Sequence, residues 1–201
     1  MQLMAINNAK YQTGLSMLEV LISLLILVFG LLGMIGLQAR AQLGTFESYQ
    51  RGQALILVQD MAERIQINRD AASCYVFTTD TTSGTPHLGT GYTGTAACAT
   101  TAGTADMQTR AATDMAAWDA ALKGASETLA GAQVGGLLGA RGCISFDATS
   151  NRYRVSIAWQ GMAATVAPTA GDTAATCAKD LYGAESQRRE VSITLMIATL
   201  S

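Results

Sequence analysis

An uncharged apolar run fills residues 20–37, and a single acid, Glu19, stands at its head. A helix crosses a bilayer core with about 20 apolar residues, within a range of about 17–25, so residues 15–37 are long enough to span one. No other stretch limits the fold as strongly. The acid is the informative detail, because an ionised side chain within a membrane helix costs roughly 2.5–3.5 kcal/mol at its centre and ordinarily has a partner.

Two ordinary readings of the run leave Glu19 unexplained. A secretory signal has a hydrophobic region of about 7–15 residues, shorter than this one, and Glu19 interrupts its start. In that reading Ala39-Arg40-Ala41 is the cleavage site and the mature chain begins at Gln42. A plain membrane anchor fits the length. Lys10 on one side and Arg40 and Arg51 on the other then give no orientation. Gly30, Gly33 and Gly36 recur within the run, and each costs about 1 kcal/mol relative to alanine in a helix interior. They mark a soft stretch, or a surface where another helix can come close.

Past the run the chain stays helical in pattern. Leu43, Phe46, Ala54, Leu57, Met61 and Ile65 recur at helical spacing, with Gln50 and Val58 between them, and no proline occurs before Pro86. Glu47/Arg51 and Asp60/Arg64 are spaced as i,i+4 ion pairs on the other side. One helix from about Leu15 to about Asn68 is expected, on the order of 80 Å long at ~1.5 Å per residue. The stripe is too short and irregular for a coiled coil, so the second half must pack on a soluble domain.

That domain is expected to be small. The chain has 201 residues and is 49% hydrophobic, but much of that is alanine and the N-terminal run. Residues 78–104 are rich in Thr, Gly and Ala and contain Pro86, which reads as a loop. A helix should follow, capped by Asp106, with Met107, Ala111, Met115, Trp118 and Leu122 as its apolar face and Gly124 at its end. Trp118 is expected in the core. Three strands close the chain: 143–146, a half-buried 153–159 alternating Val155, Ile157 and Trp159 with Arg154, Ser156 and Ala158, and 190–200 with Val191, Ile193, Leu195 and Ile197 on one face.

Four cysteines, Cys74, Cys98, Cys143 and Cys177, all follow the apolar run. Behind an export signal they point to two disulfides and an oxidising compartment. Three connectivities are open; locality alone favours 74–98 and 143–177. With no CxxC and only one histidine, His87, placed in a loop, no zinc site and no cofactor are expected. The acids are scattered and no Ser/His/Asp or Cys/His grouping is visible, which argues against a membrane-anchored periplasmic enzyme and against a small-molecule substrate. Net charge is −2, and Arg188-Arg189 is the longest basic block. A nucleic-acid partner is therefore not expected, although a DNA-receptor role through those two arginines is an alternative.

The segment Gly14-Leu15-Ser16-Met17-Leu18-Glu19-Val20-Leu21-Ile22-Ser23 resembles the class III signal of type IV pilins and pseudopilins. The resemblance implies cleavage by a prepilin peptidase between Gly14 and Leu15, N-methylation of Leu15, and retention of the apolar helix. Leu15 departs from the more usual phenylalanine. Glu19 becomes the fifth mature residue, and its implied partner is the N-terminal amine of a neighbouring subunit during assembly. The implied fold is α+β, the pilin fold, with a long N-terminal helix packed on a small antiparallel sheet. The implied divisions are a leader at 1–14, a membrane and assembly half at 15–38, an amphipathic periplasmic half at 39–70, and a disulfide-stapled head at 71–201.

Further stretches narrow the resemblance. Gln53-Ala54, Gln59-Asp60-Met61-Ala62-Glu63-Arg64-Ile65, Asn68-Arg69, Arg141-Gly142-Cys143-Ile144 and Tyr153-Arg154-Val155-Ser156-Ile157-Ala158-Trp159 are similar to PilV-type minor pilins. That similarity implies a subunit that primes or caps pilus assembly, for motility and adhesion. Its implied partners are other minor pilins, the major pilin, a pilus tip adhesin, the prepilin peptidase and the inner-membrane assembly platform. Before assembly the chain would sit in the inner membrane with its head in the periplasm, and afterwards in the pilus at the cell surface. A minor pseudopilin of type II secretion shares the signal and the helix and is the alternative.

Overall fold

The computed structural model describes residues 16–125, 128–130, 132–133, 136–168 and 175–198. The chain divides into two compact units, Met1–Gly44 and Thr45–Ser201. One helix, α1 (Met17–Ile67), supplies the described structure of the first unit and opens the second. It is unbroken, as the absence of proline before Pro86 predicts. Leu15 and Leu200, expected near the ends of elements, lie outside the described residues.

The second unit is built on the buried side of α1: Gln50, Ala54, Val58, Met61, Ala62 and Ile65. These recur every three or four residues and form one face. Ala54, Met61 and Ile65 of the expected stripe are buried, but Leu43 and Phe46 are exposed and Leu57 is only partly buried. Small Ala54 and Ala62 hold places where the head lies close to the helix. A 3₁₀ segment, Arg69–Tyr75, ends the helical stretch and buries Cys74 and Tyr75. The loop beyond it contains a two-residue strand, β1 (Leu88–Gly89), too short to show an alternating pattern.

Helix α2 (Ala105–Leu122) starts one residue before Asp106. Its cap is Thr104, whose hydroxyl accepts from the Met107 amide at 3.4 Å, so the expected cap Asp106 lies in the first turn instead. Ala111, Met115, Trp118 and Leu122 are buried as expected, and Gly124 ends the helix in the left-handed region at φ +84°. A small hairpin follows, β2 (Thr128–Leu129) with β3 (Ala132–Gln133).

Three longer strands complete the fold: β4 (Arg141–Asp147), β5 (Arg152–Gln160) and β6 (Arg188–Leu195). The sheet is antiparallel in the order β1-β4-β5-β6. Its core face carries Leu88, Ile144, Val155, Ile157, Trp159, Val191 and Leu195 in one cluster with α1 and α2. Gly142 lets the Trp118 indole come close against β4, since a Cβ there would stand 2.4 Å from the ring. The long-helix-on-small-sheet α+β arrangement implied by the resemblance is present.

The expectation of a half-buried β5 fails at its centre. Ser156 and Ala158 are as buried as Val155 and Ile157. The reason is the segment after β5, which folds back over the outer face of the sheet. There Cys143, Ala158, Cys177, Ala178 and Tyr182 form a second small core. Disulfides join Cys74 to Cys98 and Cys143 to Cys177, the pairing that locality favours.

Candidate assembly helix and the head that follows it

Ser16 precedes α1 and serves its first turn. Its carbonyl accepts from the amides of Glu19 at 2.9 Å and Val20 at 3.2 Å, and its hydroxyl accepts from the Leu18 amide at 3.3 Å. Glu19 thus occupies the first turn, where the helix dipole favours a carboxylate. That carboxylate makes no hydrogen bond or ion pair with another described residue. Gly14 and Leu15, the residues of the expected cleavage site, lie outside the described residues.

Every described side chain from 16 to 46 is exposed. The helix is long and apolar enough to cross a membrane, and its most apolar window is 0% buried within the chain. Soluble monomers rarely expose apolar patches beyond a few hundred Å². A surface of this kind belongs against lipid or against other apolar helices. Gly30, Gly33 and Gly36 lie within regular helix with no atom within 4 Å of the Cβ each lacks. They leave open backbone surface on that helix.

In the second unit, α1 is fixed to α2 by a polar cluster that sequence reasoning missed. Arg64 donates to Asp60 at 2.9 Å, the expected i,i+4 pair, and also to Asp114 at 2.8 Å. The Tyr75 hydroxyl donates to the other Asp114 oxygen at 2.7 Å. Asn68 donates to the Tyr75 hydroxyl at 3.1 Å and to the Met107 carbonyl at 2.8 Å. Burial, aided by Asp114, pushes the Tyr75 hydroxyl up to about 12. The signal for the cluster lies in α2 itself, because Asp114 falls within the apolar face set by Ala111, Met115 and Trp118.

The other expected pair does not form. Glu47 accepts from Arg189 at 3.2 Å and from the Ala163 amide at 3.3 Å rather than pairing with Arg51. Arg188 is fully buried; it donates to Glu185, Glu190 and the carbonyls of Ala175 and Cys177. Burial pushes the Glu190 carboxyl up to about 7 against the pull of Arg188. Both arginines therefore have partners within the head, Arg188 in its core and the part-exposed Arg189 on Glu47, which speaks against the phosphate-binding role considered for them. Sequence shows two adjacent cations; the fold turns one into the core and the other onto Glu47.

His87 was expected on the loop surface. It is half-buried, and burial, together with the nearby Arg141 charge, lowers its pKa. Among the described residues, no group of three or more His, Cys, Asp or Glu is placed to hold a metal ion.

Residues 36–121 match a family model described as Tt1218-like, type IV pilin Tt1218. The matched span begins in the apolar half of α1 and runs to the end of α2, taking in the buried stripe, the Cys74–Cys98 disulfide and the Arg64–Asp114 cluster. Comparison with curated proteins and with solved structures gives no match.

Proposed function

We propose, for a chain that is itself a type IV pilin-like protein, a role as a minor subunit of a type IV pilus, of the PilV type. The observation that carries this reading is α1 itself. It presents an exposed apolar surface from its first turn, carries one acid there at Glu19, and passes into a disulfide-tied head. A filament subunit needs those three parts: an apolar helix stored in the membrane and later packed among its neighbours, a charge that sets register, and a head that folds outside the cytoplasm.

In this reading a prepilin peptidase cuts between Gly14 and Leu15 and methylates Leu15. The Glu19 carboxylate then meets the N-terminal amine of an adjacent subunit. A buried pair of that kind fixes register and recruitment more than it adds stability. The family match supports a pilin role, and the priming role, with other minor pilins, the major pilin and a tip adhesin as neighbours, comes from the PilV-type resemblance.

N-terminal sequencing of the mature protein tests the reading. A methylated start at Leu15 is expected. A start at Gln42 would show a removed secretory signal, and a start at Met1 a plain anchor; either overturns the proposal.

A further inference from the structure

The outer face of the sheet is covered over only part of its length. Tyr182 and the Cys143–Cys177 disulfide cover its Cys143 and Ala158 end. Toward the β4–β5 turn the face opens into a trough of about 500 Å³, within the range of about 300–1,000 Å³ common for ligand sites. Strand register sets Ser145, Arg154 and Thr194 side by side across its floor and Asp147 opposite Arg152. One wall is the contact of two loops, where the Thr176 hydroxyl donates to the Thr81 carbonyl at 2.6 Å. The opposite wall is the β4–β5 turn.

Asp147 and Arg152 are direct cross-strand partners of opposite charge, a placement that ordinarily favours an ion pair. They do not pair. Asp147 accepts from the Thr149 amide at 2.9 Å and from the Ser150 hydroxyl at 2.6 Å, one on each oxygen. Those bonds hold its carboxyl below the usual range. Arg152 is exposed and makes no hydrogen bond or ion pair with another described residue. The hairpin turn thus takes the carboxylate that would neutralise Arg152 and leaves a guanidinium at a trough whose lining is mostly hydroxyl and charged.

We propose that this trough binds a carboxylated sugar unit of a surface polysaccharide, an activity independent of how the chain is processed or assembled. A guanidinium fork accepts a planar carboxylate through two parallel N–H···O bonds. The hydroxyls of Ser145 and Thr194 can each donate to and accept from ring hydroxyls, and that of Thr176, whose proton goes to the Thr81 carbonyl, can accept. Phe146 and Ala148 are the apolar members of the lining, so the trough offers no slot for an acyl chain or an aromatic ring. Its openness to solvent suits one or two units of a longer polymer that continues beyond the trough on either side.

The test is ligand-observed NMR on the full chain in detergent, with trigalacturonate, maltotriose and inorganic phosphate as probes. Trigalacturonate is expected to bind and maltotriose not to. Arg152→Gln is expected to weaken trigalacturonate binding about tenfold, the scale of one charge-assisted pair, with tryptophan emission unchanged. Equal binding by Arg152→Gln overturns the proposal, as does an absence of binding by the intact chain. Phosphate competing as well as the sugar acid also overturns it, since that marks a bare cation rather than a sugar site.

Discussion

Arg64 on α1 donates to Asp114 on α2 at 2.8 Å across 50 positions of sequence, and the same carboxylate accepts from Tyr75 at 2.7 Å. One acid in the apolar face of a helix therefore joins α1, the 3₁₀ segment and α2. Asp114→Ala leaves the buried Tyr75 hydroxyl without its acceptor and Arg64 with one partner. A loss of about 2–3 kcal/mol of head stability is expected, lowered from fully buried values because Arg64 is partly exposed. Urea unfolding of the detergent-solubilised chain, followed by the emission of buried Trp118 and Trp159, measures it.

Tyr75 and Tyr182 both have hydroxyls pushed up to about 12 from the usual 10.0, chiefly by burial. A group that holds its proton more tightly when folded contributes stability that is full below the unfolded pKa and lost as pH rises through the folded one. Head stability is therefore expected to fall between pH 10 and about 12. The Tyr75→Phe/Tyr182→Phe variant should lose most of that pH dependence. Absorbance at the phenolate band, read beside tryptophan emission, checks it; two tyrosines ionising near their usual value in the folded head would contradict it.

Gly142→Ala puts a methyl 2.4 Å from the Trp118 ring, in a packed core. Overpacking of this kind costs about 1–3 kcal/mol. A lower urea midpoint with a shifted tryptophan emission is expected, while both disulfides remain formed. An unchanged midpoint would show that the ring moves freely.

Glu19→Ala removes the acid from the first turn of α1 and leaves its apolar surface intact. By the filament reading, the variant is still processed and still recovered in the membrane, but its yield in sheared filaments falls well below wild type. Immunoblots of the two fractions decide it, and equal recovery in filaments would count against the assembly role.

A chain deletion separates the two secretion-related readings. Loss of twitching with exoprotein secretion intact is expected for a pilus subunit, and the converse for a type II pseudopilin.

Much of the architecture is local and so was readable from sequence alone. The apolar run, its acid, the lack of proline and the 3.6-residue spacing dictate one long helix, because hydrogen bonds along a helix join near neighbours. Alternation at 153–159 and 191–195 dictates strands for the same reason. The tertiary structure decided what lies between distant residues. It turned Arg188 inward, sent Arg189 to Glu47, buried the outer face of central β5 under the Cys177 loop, and left Arg152 without a partner among the described residues beside an occupied Asp147. Those outcomes depend on which loop covers which face, and the energies of charge pairing and burial take effect only once the chain has brought the partners together.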